Sequence, residues 1–141
     1  MKARVNWVEN VMFVAESGSG HAIVLDGAAG GGGRNMGMRP MELMALSVGS
    51  CSSYDVVTIL KKAKQWVTAC EAEVTAERVD GTPATFESIH LHFKVTGFDL
   101  SEKHVQRAIE LSADKYCSAS IMMKNAGVKV THDFEVHEAE K

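Results

Sequence analysis

Residues 40–64 read PMELMALSVGSCSSYDVVTILKKAK, and this stretch decides the fold. Pro40 suits the first turn of an α-helix, and Glu42 stands where a carboxylate meets the positive end of the helix dipole. From there to Leu60 the segment is apolar on almost every side, which predicts a helix over 40–64 buried on several faces. Lys61, Lys62 and Lys64 fall in its last turn, where cations complement the dipole. Near the middle, Cys51 stands in a collar of Ser47, Gly49, Ser50, Ser52 and Ser53. Small residues around a thiol leave room for another backbone, or a substrate, to come close.

Upstream, residues 2–9 alternate Ala3, Val5 and Trp7 against Arg4 and Asn6, a strand pattern. Residues 12–15 are a short apolar run. Ser-Gly-Ser-Gly at 17–20 turns the chain into a further strand, 21–25, closed by Asp26-Gly27. An antiparallel meander is the simplest reading. Residues 28–39 follow, and the four glycines 30–33 predict a flexible loop. That loop lies between strand and helix, as a phosphate-binding loop does. It lacks the Gly-Lys-Ser/Thr ending, and no repeated strand-helix-strand units surround it, so phosphate binding is set aside.

Downstream, residues 67–79 place Thr68, Cys70, Ala72, Val74 and Ala76 on one face and Glu71, Glu73, Thr75 and Glu77 on the other. Residues 85–96 alternate more strictly, with Ile89, Leu91, Phe93 and Val95 inward and His90, His92 and Lys94 outward. Asp80-Gly81-Thr82-Pro83 forms the turn between the two strands. Asp99 or Ser101 caps a second helix, Asp99 with Glu102 having capping-box spacing. Its inner face is Val105, Ala108, Ile109, Ser112 and Tyr116. Cys117 ends it, a short helix covers 118–125, Gly127 stops that helix, and 128–136 is a last strand. The order specifies one α+β domain over residues 1–141.

Composition narrows the function. The chain has 141 residues, 45% hydrophobic and 23% charged, as in soluble globular proteins. A net charge of −3 argues against nucleic acid, whose phosphates favour a basic face. No polybasic membrane patch is visible. Asn6, Glu9 and Asn10 interrupt the N-terminal segment, so it does not read as a signal peptide. The uncharged segment 43–54 is too short and serine-rich to span a bilayer. A cytoplasmic protein is expected. Three cysteines in a reducing compartment form no disulfide framework, so each is a small core residue or a chemically used thiol.

Cys70 alternates with apolar neighbours and reads as core. His90 and His92 share a strand face, but no third ligand stands at a suggestive spacing, so exposed histidines are expected there and no metal site. His132 falls on the apolar face with Val130 and Phe134 and reads as a core histidine. His21, His104 and His137 read as surface residues. No Gly-x-Ser-x-Gly elbow supports a serine hydrolase. Met36, Met38, Met41, Met44, Met122 and Met123 cluster around the two remaining cysteines, as core filling or as an adaptable apolar pocket. Cys51 and Cys117 read on pattern alone as structural. Against that stand the small collar of Cys51 and the position of Cys117 after Tyr116 at a helix end, where a side chain can be reached.

RPMELMALSVGSCSSYDVV resembles the first cysteine motif of the OsmC/Ohr family. Both have a proline, an acid, a Leu/Ala run, a small-residue stretch, and then cysteine eleven positions after the proline. AIELSADKYCSASIMM resembles the second motif, with Cys117 in place. The resemblance covers essentially the whole chain. It implies an α+β fold with antiparallel sheets wrapped around a central cysteine-bearing helix. It also implies an intertwined homodimer with active sites at the subunit interface.

By that resemblance Cys51 is the peroxidatic thiol acting on organic hydroperoxides, and Cys117 the resolving thiol. A dithiol reductant restores both, and no cofactor is needed. Met41, Met44, Tyr54 and Met123 would line an apolar substrate pocket. The family's activating arginine lies on an early strand, oriented by a glutamate just after the motif proline. Here Val24 stands at the arginine position, and the acid, Glu42, comes one place late, rotated by roughly 100° on a helix. Arg39 or Arg34 is the substitute candidate, with Glu42 as partner. These departures mark a divergent branch. Two function classes therefore remain open. One is a cysteine-based hydroperoxide reductase; the other is a non-catalytic dimer that binds a small apolar ligand or senses redox state.

Overall fold

The computed structural model describes residues 1–140. The chain resolves into two compact units, Met1–Met44 and the chain from Ala45 onward. In the first, β1 (Ala3–Glu9), β2 (Met12–Ser17) and β3 (Ala22–Leu25) form an antiparallel meander with Ala3 opposite Ser17 and Phe13 opposite Leu25. β1 is exposed along its whole length, its apolar face of Val5 and Trp7 included. Alternation in the sequence set the strand, but nothing within the first unit covers that face.

The glycine loop has a defined path rather than the flexible one expected. The buried carboxylate of Asp26 accepts the backbone N–H groups of Gly27 at 2.8 Å, Arg34 at 3.0 Å and Met36 at 3.1 Å. One short side chain thus gathers both ends of the loop. These donors hold the Asp26 carboxyl below its ordinary range, the Met36 N–H foremost. Glycine is required where the loop closes: a Cβ on Gly33 would lie 2.2 Å from the Gly27 oxygen.

α1 (Pro40–Lys62) begins in the first unit and continues into the second. It ends two residues before the predicted boundary, because Lys64 turns into the left-handed region at φ 57°. Val48, Ser52, Val56 and Leu60 are buried at every fourth position, joined by Gly49. Enclosing each of the larger aliphatic side chains contributes about 1.5–3 kcal/mol. The remaining apolar surface is not enclosed: Leu46 and Tyr54 are 48% and 74% exposed. By length and composition alone α1 could cross a membrane, although its uncharged stretch reads as too short in the sequence.

The second sheet has the order β4 (Trp66–Arg78), β5 (Phe86–Phe98), β6 (Lys129–Glu138). β4 and β5 are antiparallel, Val74 facing Leu91; β6 joins β5 in parallel, Phe134 facing Phe93. Antiparallel sheets were expected; the parallel pair follows from the long helical crossover between β5 and β6. Ile89, Leu91, Phe93 and Val95 are buried, as their alternation predicted. A bulge between Val67 and Ala69 leaves Thr68 exposed and separates it from the face of Cys70, Ala72, Val74 and Ala76, which is half-buried.

α2 (Glu102–Leu111) starts after Ser101, whose side chain makes no capping bond. Asp99 does not cap either: it sits at φ 50°, and its N–H donates to Glu138. Val105, Ala108 and Ile109 are buried. The helix then widens into a π-turn over Ser112–Tyr116, closed by Cys117 N–H on Ser112 O at 2.8 Å. The wider turn changes the helical phase, so Ser112 is buried as expected while Tyr116 is 50% exposed. α3 covers Ser118–Asn125. His132 is exposed rather than in the core. It lies on β6, an edge strand with a neighbour on one side only.

Candidate active site

Cys51, on α1, lies beside the buried stripe and is half-buried. Cys117 reaches it from a distant part of the chain. It is the N-cap residue of α3, placed there by the π-turn, and is fully buried. The helix end that suggested an accessible thiol encloses it instead. Asp55 stands one turn beyond Cys51 on the same face of α1. The two sulfurs and a carboxylate oxygen of Asp55 lie within 4.8 Å of one another. The sequence singled out both cysteines; it named Ser52 only as part of the small collar and Ser112 only as a packing position, and it gave no signal for Asp55 or Ser120.

The polar groups around the pair are unequally shared. Cys117 Sγ accepts the Ser52 hydroxyl at 3.2 Å and the Ser120 N–H at 3.3 Å. Ser52 and Ser120 also bond each other at 3.3 Å. Burial pushes the Cys117 thiol up, but bonds from the Ser120 and Ser52 hydroxyls, the Ser120 N–H and the Cys51 thiol outweigh it, and the group titrates below the ordinary range. Cys51 goes the other way. Burial pushes it up, and the negative Cys117 and Asp55 add to this against a single N–H from Ala119. The two shifts run in opposite directions, up for Cys51 and down for Cys117, so Cys117 is the sulfur that gives up its proton more readily. Ser112 completes the frame, its hydroxyl donating to Asp55 Oδ2 at 3.2 Å. Lys124 Nζ donates to the Ala113 carbonyl at 2.9 Å and fixes α3 against the π-turn.

The other residues singled out in the sequence have their own partners. Arg34 pairs with Glu9. The Arg39 guanidinium donates to Asn35 Oδ1 at 2.6 Å and to the Gly37 carbonyl at 3.2 Å. Glu42 accepts the backbone N–H of Arg39 at 2.9 Å, an N-terminal capping bond for α1. Of the pocket residues, Met41 and Met123 are half-buried and Met44 and Tyr54 exposed. The first unit holds an apolar cleft of about 410 Å³ among Val5, Val11, Phe13 and Leu25, with Arg39 and Pro40 at its wall. Cys70 is half-buried on β4, its thiol pushed up by burial.

The chain matches, over residues 31–133, the family model described as OsmC-like protein. It is 47% identical over 136 residues to Protein YhfA of Escherichia coli K12, covering 96% of this chain and 98% of that one. A hypothetical protein of Aquifex aeolicus, 28% identical, superposes with a TM-score of 0.79 over 96% of both chains. At 16% identity an organic hydroperoxide resistance protein of Legionella pneumophila shares the fold, with a TM-score of 0.70 over 98% of this chain and 96% of that one. With matched cysteine motifs, two three-stranded sheets and the two motif cysteines brought together, the chain belongs to the OsmC-like protein family.

Proposed function

We propose that this protein reduces organic hydroperoxides through Cys51 and Cys117. The observation that carries the reading is the meeting of the two sulfurs beside a helix N-terminus, one enclosed and one within reach. Cys51, the less buried sulfur, is the nucleophile. Cys117 takes its proton, and the Cys51 thiolate attacks the peroxide O–O bond. Cys51 becomes a sulfenic acid and the alkoxide leaves as the alcohol, taking the proton back from Cys117. The Cys117 thiolate then attacks the sulfenic sulfur, forming the disulfide and displacing hydroxide, which takes from solvent the proton that Cys117 gave up on ionising and leaves as water. An external dithiol returns both to thiols. The sum is one hydroperoxide and two thiols giving one disulfide, one alcohol and one water.

The likeness to the Legionella pneumophila protein supports this substrate class. In the same reading the protein is a cytoplasmic homodimer. A second copy covers apolar surface left open on β1 and on α1 at Leu46 and Tyr54. Arg39 and Arg34, with Glu42, remain the candidates for a cation at the site of such a dimer.

A second reading keeps the fold and leaves the thiols slow: a dimer that binds a small apolar ligand or registers redox state. What favours it is the burial that pushes the Cys51 thiol up, since a thiol with less thiolate reacts more slowly. The test is consumption of cumene hydroperoxide and of hydrogen peroxide by reduced protein supplied with dithiothreitol or dihydrolipoamide. Wild type is compared with Cys51→Ser and Cys117→Ser. Organic-peroxide turnover lost in Cys51→Ser supports the enzyme. Wild type no faster than Cys51→Ser removes that reading and leaves the second.

A further inference from the structure

We propose that Cys51, Asp55 and Cys117 of the reduced protein form a three-ligand site for a thiophilic divalent cation of the zinc class. The three donor atoms lie within 4.8 Å of one another. A tetrahedral zinc ion with bonds of about 2.3 Å to sulfur and about 2.0 Å to carboxylate oxygen needs donor separations of roughly 3.5–3.8 Å. Donors already this close reach that geometry by small side-chain rotations. Cys51 and Asp55 come from successive turns of one helix face, and Cys117 from the facing N-terminus of α3.

The chemistry of the set is selective. Two sulfurs favour zinc, cadmium or cobalt over magnesium or calcium, which take oxygen ligands. The donors are also held from behind, as metal ligands commonly are. Ser112 Oγ donates to Asp55 Oδ2 at 3.2 Å and so orients the carboxylate. Ser52 Oγ donates to Cys117 Sγ at 3.2 Å, and Ser120 N–H at 3.3 Å. Three protein ligands leave a fourth position open. Two negative sulfurs and a carboxylate around a divalent ion leave a net charge of −1, so that position suits water or a neutral donor.

The proposal stands whether or not the protein turns over peroxide, because it concerns binding alone. One consequence links it to the thiol chemistry: sulfurs on a metal cannot also be joined as a disulfide, so metal occupancy and Cys51–Cys117 oxidation exclude each other.

The test is titration of reduced, chelator-treated protein with Cd2+, read by the sulfur-to-cadmium charge-transfer band in the ultraviolet, and with Co2+, read by the visible bands of a tetrahedral thiolate site. One ion per chain is expected. Cys51→Ser and Cys117→Ser should each lose about half the cadmium band, each removing one of two sulfur ligands. Asp55→Asn should keep the band and weaken binding at least about tenfold, in line with the sensitivity of such sites to their supporting groups. Cys70→Ser should leave both unchanged. No band at saturating Cd2+, or a band lost in Cys70→Ser and kept in Cys51→Ser, overturns the proposal.

A variant that fails to fold is replaced by wild type in a protection experiment. Zn2+ should shield Cys51 and Cys117, but not Cys70, from iodoacetamide, as read by peptide mass mapping. Equal labelling of Cys51 and Cys117 with and without Zn2+ overturns it as well.

Discussion

Gly49→Ala tests the packing that the small collar around Cys51 permits. Gly49 is buried on α1, and a Cβ built there falls 2.6 Å from a Val74 methyl carbon on β4. Apolar carbons rest about 3.5–4.0 Å apart, so roughly 1 Å must be recovered by moving helix, strand or valine. Val74 is β-branched and stiff at χ1, which makes side-chain relief costly. Overpacking of this kind costs about 1–3 kcal/mol. Removing a mid-helix glycine offsets this by about 1 kcal/mol. The net is a destabilisation of about 0–2 kcal/mol, and each kcal/mol lowers Tm by roughly 3 °C in a chain of this size. Urea melts of reduced protein, followed by circular dichroism, give the value. The decisive figure is the double-mutant cycle. Val74→Ala removes the opposing methyls, so Gly49→Ala in that background should become neutral or stabilising, with a coupling of at least about 0.5 kcal/mol. If Gly49→Ala stabilises the wild type by the full helix gain and shows no coupling to Val74→Ala, the close approach of α1 to β4 is refuted.

Asp26→Asn should lower Tm and speed amide exchange across residues 27–37, because an amide presents its NH2 group to donors that the carboxylate accepts. Since the Asp26 carboxyl titrates below its ordinary value of 3.8, its contribution is present above that value and is lost as pH falls through the folded one. Phe93, fully enclosed in the second sheet, should cost about 3–5 kcal/mol on replacement by alanine, measured by the same melts. On the outer face of that sheet, the Asp133 carboxylate bonds His92 at 2.6 Å and His90 at 3.0 Å. The Asp133 bond, joined by the charges of Asp133, Glu135 and Glu73, raises His92 above its ordinary 6.5. His92 therefore contributes fully below pH 6.5 and loses that contribution as pH rises through its folded value. Asp133→Asn should return the His92 titration, followed by NMR, toward the ordinary value; an unchanged midpoint would remove Asp133 as the cause.

The fold was legible wherever one residue sets local geometry. Pro40 marked the start of α1, alternation marked β4 and β5, and Gly127 marked the end of α3. Features that depend on distant groups were not. Nothing local announces that β6 pairs in parallel with β5, since that follows from the crossover between them. The π-turn over Ser112–Tyr116 adds a residue to the helical repeat, and with it the expected inner position of Tyr116 was lost. His132 shared the alternation of Val130 and Phe134, yet an edge strand leaves part of its apolar face uncovered. The glycine run suggested mobility, because the ordering group, Asp26, reads in sequence as an ordinary turn residue. In the site, the two cysteines were visible through their motifs. Asp55 and the serines were not, because their meaning comes only when α3 is laid against α1.

That juxtaposition alters the argument about activation. From the sequence, Cys51 sits near the middle of its helix, away from the dipole's positive end, and the family resemblance assigns its activation to an arginine. In the structure the positive end comes from a different helix. The first turn of α3 offers Ala119 N–H to Cys51 and Ser120 N–H to Cys117. Ser52 adds its hydroxyl to Cys117 only. The asymmetry favours ionisation of the enclosed sulfur over the reachable one. A lone protonated thiol in an apolar site is a poor nucleophile. Paired with a thiolate that can accept its proton, the same thiol is one short transfer from the reactive form. For the proposed peroxide reduction, the absence of arginine at Val24 therefore bears on the rate at which Cys51 would react. Sulfur is the soft donor in the second unit's site, which is why the proposed peroxide reduction and the proposed metal binding rest on the same two residues.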